Sequence, residues 1–388
     1  MAETVRVEEA AGAVPFAASR RPWSELAVRA GTGVFRRWEW LFPWWSRFGQ
    51  GAEPLLLLAR DGSGTLRGLL PLRVERAAGG LTRWALLGDR LVGSDGLGAV
   101  IDPAFRAGVE EAFSERLAGS LGRWDLLELR DLDRGDPLAA TLEARLLAGG
   151  ASIFHGPGCR CPTAALGMEF GEFLAGKPRR ENLTRRRSWL ERQPGFRIDC
   201  VSDPERIGEA LDRFLGLHAL RWGARWSDAI PGPAVEGFHR EAVPLLAEEG
   251  RCRIYLAWLQ GRPVAGVYAL VDGSRFYYYL PVFDPAWSHR SVGLVLLGHV
   301  LERAASEGFA RFEFLRGEES YKLDWADGGW DTFALHAAAP RLGARAFEWG
   351  RTGLGAVRSV AGRALPEGVV WRWRRLVAGH TLGSVGGG

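Results

Sequence analysis

Apolar and polar positions follow the same order in two windows of the chain, and the pattern predicts the same succession of elements twice. The first window runs from Pro54 to Asp89 as PLLLLARDGSGTLRGLLPLRVERAAGGLTRWALLGD, continues into the helix-like RAGVEEAFSERLAGSLG and ends in WDLLELRDLD. The second runs from Cys252 to Pro285 as CRIYLAWLQGRPVAGVYALVDGSRFYYYLPVFDP, continues into SVGLVLLGHVLERAASEG and ends in FARFEFLRGE. Each reads as strand, tight turn, strand, turn, strand, helix, strand. Asp61-Gly62 and Gln260-Gly261 mark the first turns, and Asp272-Gly273 marks the next turn of the second window. Residue identity between the windows is low, so the match is one of pattern: either a duplicated lobe or the pairing that any mixed α/β chain can yield.

Helical patterns precede each window. Trp38 to Phe48 is tryptophan-rich and ambiguous, whereas Phe170 to Leu174, Glu181 to Arg192 and Pro204 to Trp226 have helical spacing. Turn formers concentrate in GGASIFHGPGCRCP, Gly149 to Pro162, and place the boundary between halves there. The expected organisation is an α/β (α+β) protein of two tandem lobes, residues 1–155 and 156–340. Each lobe is a mixed, mainly antiparallel sheet flanked by helices, and a basic helical segment follows at 341–388.

Composition narrows the class. A chain of 388 residues, 47% hydrophobic and 25% charged, is long enough for two core-forming lobes. Four cysteines are too few and too scattered for a disulfide framework, and Cys159-Arg-Cys161 lacks the partner pair of a zinc site, so reduced thiols and no metal are expected. No apolar run reaches the roughly 20 residues of a membrane span, and the opening MAETVRVEEAAGAV is acidic where a signal peptide is basic, so a cytoplasmic protein is expected. The net charge of +4 is unevenly spread: residues 341–388 hold eight Arg against Glu348 and Glu367, a local +6. Trp371-Arg-Trp373-Arg-Arg375 in that tail suits either peripheral contact with anionic lipid or a helical lid on the protein itself.

The informative stretch is Ser274 to Trp325. A tyrosine strand, Tyr277 to Tyr279, leads through a turn into Arg290-Ser-Val-Gly293-Leu-Val295, which opens an apolar helix; a further strand, Ala310 to Leu315, follows. A helix start just beyond a strand exposes free N–H groups suited to a diphosphate. Gly293 permits close approach of a ligand, and Arg290 and the helix dipole favour negative charge. No Gly-x-Ser-x-Gly elbow, P-loop, HExxH helix or dinucleotide fingerprint is present. Gly93-Ser-Asp-Gly96-Leu-Gly98 reads as a plain loop.

At these residues the chain resembles the GCN5-related N-acetyltransferases (GNAT), whose pyrophosphate loop reads Gln/Arg-x-x-Gly-x-Gly/Ala. Arg290 and Gly293 match, and Val295 departs from the small final residue. The likeness extends to the CelD-like, or BioF2-like, acetyltransferases, a subgroup with tandem GNAT lobes like the Fem peptidyltransferases. It is carried by His218, Arg221 and Trp222 on one helix, Pro263-Val-Ala-Gly266, Phe283-Asp-Pro285, Ser291, Gly293, and Phe314-Leu-Arg-Gly-Glu-Glu-Ser-Tyr-Lys322. The resemblance implies a donor such as acetyl-CoA or another acyl-CoA held by Arg290, Ser291, Val292, Gly293, Leu294 and Val295, with the first lobe degenerate and largely structural.

Acyl transfer to an amine needs a base, oxyanion donors and an acid for the departing thiolate. Tyr321 is the candidate acid, Lys322 a source of positive charge, and Glu313 or Glu318 the candidate base. Alternatively, Glu318, Glu319 and Lys322 only solvate a loop. His218, Arg221 and Arg225 share a helix face beside Trp222 and Trp226, and with Tyr278 they suit an amine acceptor on a sugar, an envelope precursor or a carboxylated molecule. Lys177 to Arg197 carries eight basic residues against Glu181 and Glu191. This run suits an anionic ligand or tRNA, or it is the solvated face of a packed helix. The alternatives to an acyl-CoA enzyme are a Fem-like transferase using aminoacyl-tRNA and a non-catalytic accessory of polysaccharide assembly.

Overall fold

The computed structural model describes residues 5–351, apart from 90, 223–229 and 231 and the side chain of Trp222. Arg225, Trp226 and the Trp371 to Arg375 run lie outside the described residues, as does the tail beyond 351; residues 342–351 are helical. The first part of the chain forms β1 (Arg6–Ala11), α1 (Ala13–Ala18), α2 (Arg20–Ala30), α3 (Trp38–Phe48), β2 (Ala52–Arg60), β3 (Leu66–Arg76), β4 (Thr82–Leu86), β5 (Val100–Ile101), α4 (Arg106–Ala118), β6 (Leu126–Asp133), α5 (Pro137–Ala148) and β7 (Ser152–Gly156). There follow β8 (Arg160–Ala165), α6 (Phe170–Ala175), α7 (Arg180–Glu191), β9 (Arg197–Val201), α8 (Ile207–Trp222) and α9 (Pro233–Glu248). The chain continues through β10 (Cys252–Leu259), β11 (Arg262–Asp272), β12 (Arg275–Phe283), α10 (Val292–Ser306), β13 (Arg311–Glu313), α11 (Ser320–Leu323) and β14 (Gly328–Ala338).

The repeated pattern is realised as two lobes of mixed α/β build. In the first, β2, β3 and β4 pair antiparallel, α4 crosses over, and β6 returns parallel to β4. In the second, β10, β11 and β12 do the same, α10 crosses over, and β13 returns parallel to β12. The strands form one continuous sheet, ordered β1-β2-β3-β4-β6-β14-β8-β13-β12-β11-β10-β9, with β5 on β3 and β7 on β14. One strand pairs with both lobes. The start of β14, Gly328 to Asp331, pairs with β8, and its remainder, Thr332 to Ala338, inserts between β6 and β7. A strand of 11 residues is long enough to pair with both halves, and its apolar end from Phe333 onward is the part buried in the first lobe.

A large core joins the lobes. The ambiguous tryptophan-rich run is α3, because its rings have partners there: Trp40 meets Phe238 and Tyr279 edge-on at 4.8 and 5.3 Å. Tyr277 and Tyr279 point into this shared core, whereas Phe276 and Tyr278 point to the opposite face, under α10. Gly298 of α10 lets α7 approach, since a Cβ there would lie 2.6 Å from Leu183 Cδ1. Across the join, Asp272 accepts both Nε–H and Nη2–H of Arg37 at 2.7 Å. Among the described residues no helix is long and apolar enough to cross a membrane.

Candidate active site

The site begins where β12 and β13 part. They pair at Arg275–Arg311, Phe276–Phe312 and Tyr277–Glu313 and no further. Beyond that point the Phe314 N–H turns to the Pro162 carbonyl at 3.0 Å, while β12 follows β11 as far as Phe283. The first lobe parts β4 and β6 in the same way after Ala85–Glu128. There the chain fills its own gap: Leu97 bridges to Leu132, its N–H bonded to the Asp131 carbonyl at 2.9 Å. The opening in the second lobe leads instead into a cavity of about 1310 Å³.

Two backbone features face this opening. Tyr268 of β11 stands opposite Leu280 and Leu270 opposite Tyr277, so Tyr278 and Tyr279 together oppose Ala269. The extra residue of such a bulge is left out of the ladder to β11, and on the other edge of β12 pairing with β13 ends at Tyr277–Glu313. The second feature is the start of α10. Ser291 caps it in the left-handed region (φ 56°), and the Val295 N–H already bonds back to the Ser291 carbonyl at 3.2 Å. The amides of Val292, Gly293 and Leu294 precede the first helical bond and carry the positive end of the helix dipole.

The cavity wall brings together much of the candidate set: Ser291 to Leu294, His218, Arg221, Tyr278, Tyr321 and Lys322. Burial raises the hydroxyl pKa of Tyr321, with Glu319 adding to the effect and Arg221 opposing it, so the phenol is protonated near neutrality. Lys322 is buried; its Nζ donates to the Arg316 carbonyl at 2.5 Å and pairs with Glu319 at 2.9 Å. Burial and the neighbouring Arg221 lower the pKa of His218, so its imidazole is neutral at pH 7. The Arg221 guanidinium lies 3.9 Å from the centroid of the Phe283 ring, and burial lowers its pKa.

Four candidates fall elsewhere. Glu313 is turned to the other face of the sheet, because strand alternation sends Phe312 and Phe314 under α10 and leaves Glu313 opposite them. It accepts from Trp330 Nε1 at 2.9 Å and lines a separate cavity of about 70 Å³. Glu318 is exposed on the loop and does not line the large cavity. Arg290 stacks on Trp189 of α7, 4.0 Å from the ring centroid, which holds its charge off the cavity wall. Val295, on α10 itself, is buried in the core beneath that helix and does not line the cavity. In the basic run, Arg179 pairs with Asp324 at 2.6 Å and Arg187 with Glu302 at 3.0 Å, while Lys177 lies over the Phe173 ring. Much of that charge is therefore engaged within the fold.

The sequence reading missed the contribution of the first lobe. Leu91 and Val92, with Gly93 and Asp95 of the loop read as plain, complete the cavity wall. Asp95 accepts the backbone N–H of Arg316 at 2.9 Å and its Nε–H at 2.6 Å. The available signal was an acidic residue set between glycines, which local pattern cannot distinguish from a solvated turn. Away from the cavity, Glu128, His336 and Glu348 lie buried within 4.8 Å of one another. Arg83 and Arg130 pair with Glu128, and Arg351 pairs with Glu348, so the two carboxylates sit in an ion network.

Residues 177–323 match the acetyltransferase (GNAT) domain family. The structure titled FemX superposes with a TM-score of 0.56 at 11% identity, covering 80% of this chain and 95% of that one. The structure of L-PGS from Bacillus licheniformis superposes at 0.53 and 12% identity, covering 88% and 96%. A conserved protein of unknown function from Bacteroides thetaiotaomicron superposes at 0.52 and 11% identity, covering 83% and 97%. No curated protein sequence matches the chain. Residues 177–323 are thus similar to a GNAT domain, and the chain as a whole shares the fold of these solved structures.

Proposed function

We propose that the protein is an acyltransferase that moves an acyl group from an acyl-CoA to an amine. The observation that carries this reading is one cavity joining the free amides of α10, the parted strands β12 and β13, and Tyr321. The amides of Val292, Gly293 and Leu294 hold the diphosphate, and the gap between the strands takes the pantetheine arm. Backbone donors of β12 beyond Tyr277, where its pairing with β13 has ended, stabilise the oxyanion that forms when the amine attacks the thioester carbonyl. His218, neutral at working pH, takes the proton from the attacking nitrogen; the carbon–nitrogen bond forms as the carbon–sulfur bond breaks, and Tyr321 protonates the departing thiolate. The acceptor enters from the side walled by α8 and by Leu91 to Gly93, a space suited to a bulky amine such as an amino sugar.

A thermal-shift series with CoA, acetyl-CoA and longer acyl-CoAs tests the donor. A ligand at a hundred times its Kd stabilises the native state by about 2.7 kcal/mol. Gly293→Val should abolish the shift, since a Cβ there already meets Phe283 Cδ1 at 3.3 Å and a branched side chain must displace the first turn of α10 that carries the proposed diphosphate amides; the urea midpoint of the variant separates loss of binding from loss of fold. If no CoA species stabilises the wild type, the donor assignment fails. An aminoacyl-tRNA donor would instead draw on the exposed Arg180, Arg185 and Arg192 of the basic run, and its binding would fall steeply with salt.

A further inference from the structure

We propose that Asp95, on the glycine-rich loop of the first lobe, is a positioning residue for the loop that carries Tyr321 and Lys322, and that it acts through Arg316. The consequence for turnover rests on the acyltransferase reading; the positioning itself does not.

Three observations converge on Arg316. Its backbone N–H and Nε–H both go to Asp95, at 2.9 and 2.6 Å, and its Nη2 donates to the Ser94 carbonyl at 2.9 Å and to Asp131 at 3.0 Å. The Asp95 side chain is 0% exposed, so it binds Arg316 without competition from water. The residue before Arg316, Leu315, has φ 59°, a left-handed conformation that a branched side chain does not adopt by itself. Asp131, on the other side of the guanidinium, has φ 56°. Two of the four non-glycine residues with positive φ among the described residues therefore adjoin one arginine, Leu315 as its chain neighbour and Asp131 as a partner of its guanidinium. Strain of this kind persists only where its surroundings over-determine it.

The carbonyl of Arg316 then receives Lys322 Nζ at 2.5 Å, and Lys322 also pairs with Glu319. Tyr321 and Lys322 belong to α11, which is four residues long and far too short to hold its shape alone. A path of hydrogen bonds thus runs from the first lobe to the proposed acid: Asp95 to the Arg316 backbone, the Arg316 carbonyl to Lys322, and Lys322 within the turn that presents Tyr321. The first lobe, whose own strand gap is filled, contributes by fixing where the acid of the second lobe stands. Simple adhesion between lobes would need the guanidinium ion pairs but not the bond to the Arg316 amide.

The test uses the full chain and two variants. Asp95→Asn removes the charge that grips the Arg316 amide and Nε together; Asp131→Asn weakens the same guanidinium cluster and leaves the amide bond in place. In hydrogen–deuterium exchange, Asp95→Asn should speed exchange of residues 315–323 by about tenfold while α10 remains protected, and Asp131→Asn should leave 315–323 near the wild-type rate. With CoA as the probe, the Kd of Asp95→Asn should stay within about twofold of wild type. With acetyl-CoA and glucosamine, thiol release should lose about a hundredfold in kcat at unchanged KM for acetyl-CoA. Unchanged exchange at 315–323 in Asp95→Asn, or equal loosening in both variants, overturns the proposal. Wild-type protein that ignores CoA would refute the acyltransferase reading while the exchange result still decides the positioning.

Discussion

Removing the Asp272 carboxylate should unfold much of the stability of this protein, because two arginines depend on it. Asp272 closes β11 and accepts Arg37 Nε–H on one oxygen and Arg37 Nη2–H on the other, both at 2.7 Å; Arg251 Nη1 adds a third bond at 2.5 Å. Arg37 is only 2% exposed and Arg251 is partly buried. In Asp272→Ala the Arg37 guanidinium stays buried with its counter-charge gone, a loss of about 3–5 kcal/mol by analogy with other broken buried pairs. Against a total stability of about 5–15 kcal/mol, that is a large share. With a urea m-value of about 3 kcal/mol/M, the unfolding midpoint should fall by about 1–1.7 M. Urea titration followed by tryptophan fluorescence reads this directly, since 17 tryptophans lie along the chain. The double variant Arg37→Met, Asp272→Leu should recover the part of the loss that comes from Arg37, because a buried pair replaced by apolar groups is often neutral, while the share of Arg251 remains. A single-variant cost under about 1 kcal/mol, or a double variant whose loss equals the sum of the singles, would refute the reasoning.

Tyr321→Phe keeps the ring in the cavity wall and removes its proton. Thiol release should fall by about 10²–10⁴-fold in kcat with CoA affinity intact, and an unchanged kcat would move the acid role to water or another group. Acid should destabilise the fold through His239, whose two nitrogens have no hydrogen-bond partner among the described residues and whose pKa burial pushes down to about 3. Below the unfolded value of about 6.5, the unfolded chain takes up a proton that the native state refuses, so stability falls as pH drops, by about 1.4 kcal/mol per unit until pH nears 3. Between pH 7.5 and 5.5 wild type should therefore lose about 1.4 kcal/mol more than His239→Phe in urea titrations. The lowered pKa of His218 acts in the same direction.

The order of elements was legible in the linear pattern because each strand, turn and helix is set by neighbours a few residues away. The doubled succession of strands, the helix opening at Val292 and the loop bearing Tyr321 and Lys322 could all be read from period and turn residues. So could the family likeness, since its motif lies within one supersecondary unit. Pairing across the fold could not. Arg316 meets Asp95 over a separation of 221 residues and Arg37 meets Asp272 over 235. Alternation alone told that Glu313 opposes Phe312 and Phe314 but not which face would become the cavity; the packing of α10 over the phenylalanines decided that. Stacking on Trp189 took Arg290 off the cavity wall, and the length of β14 let it cross from one lobe into the other. Local sequence determines which elements form, whereas the faces they bury and the charges they bring together depend on contacts that exist only once both lobes have closed on one core.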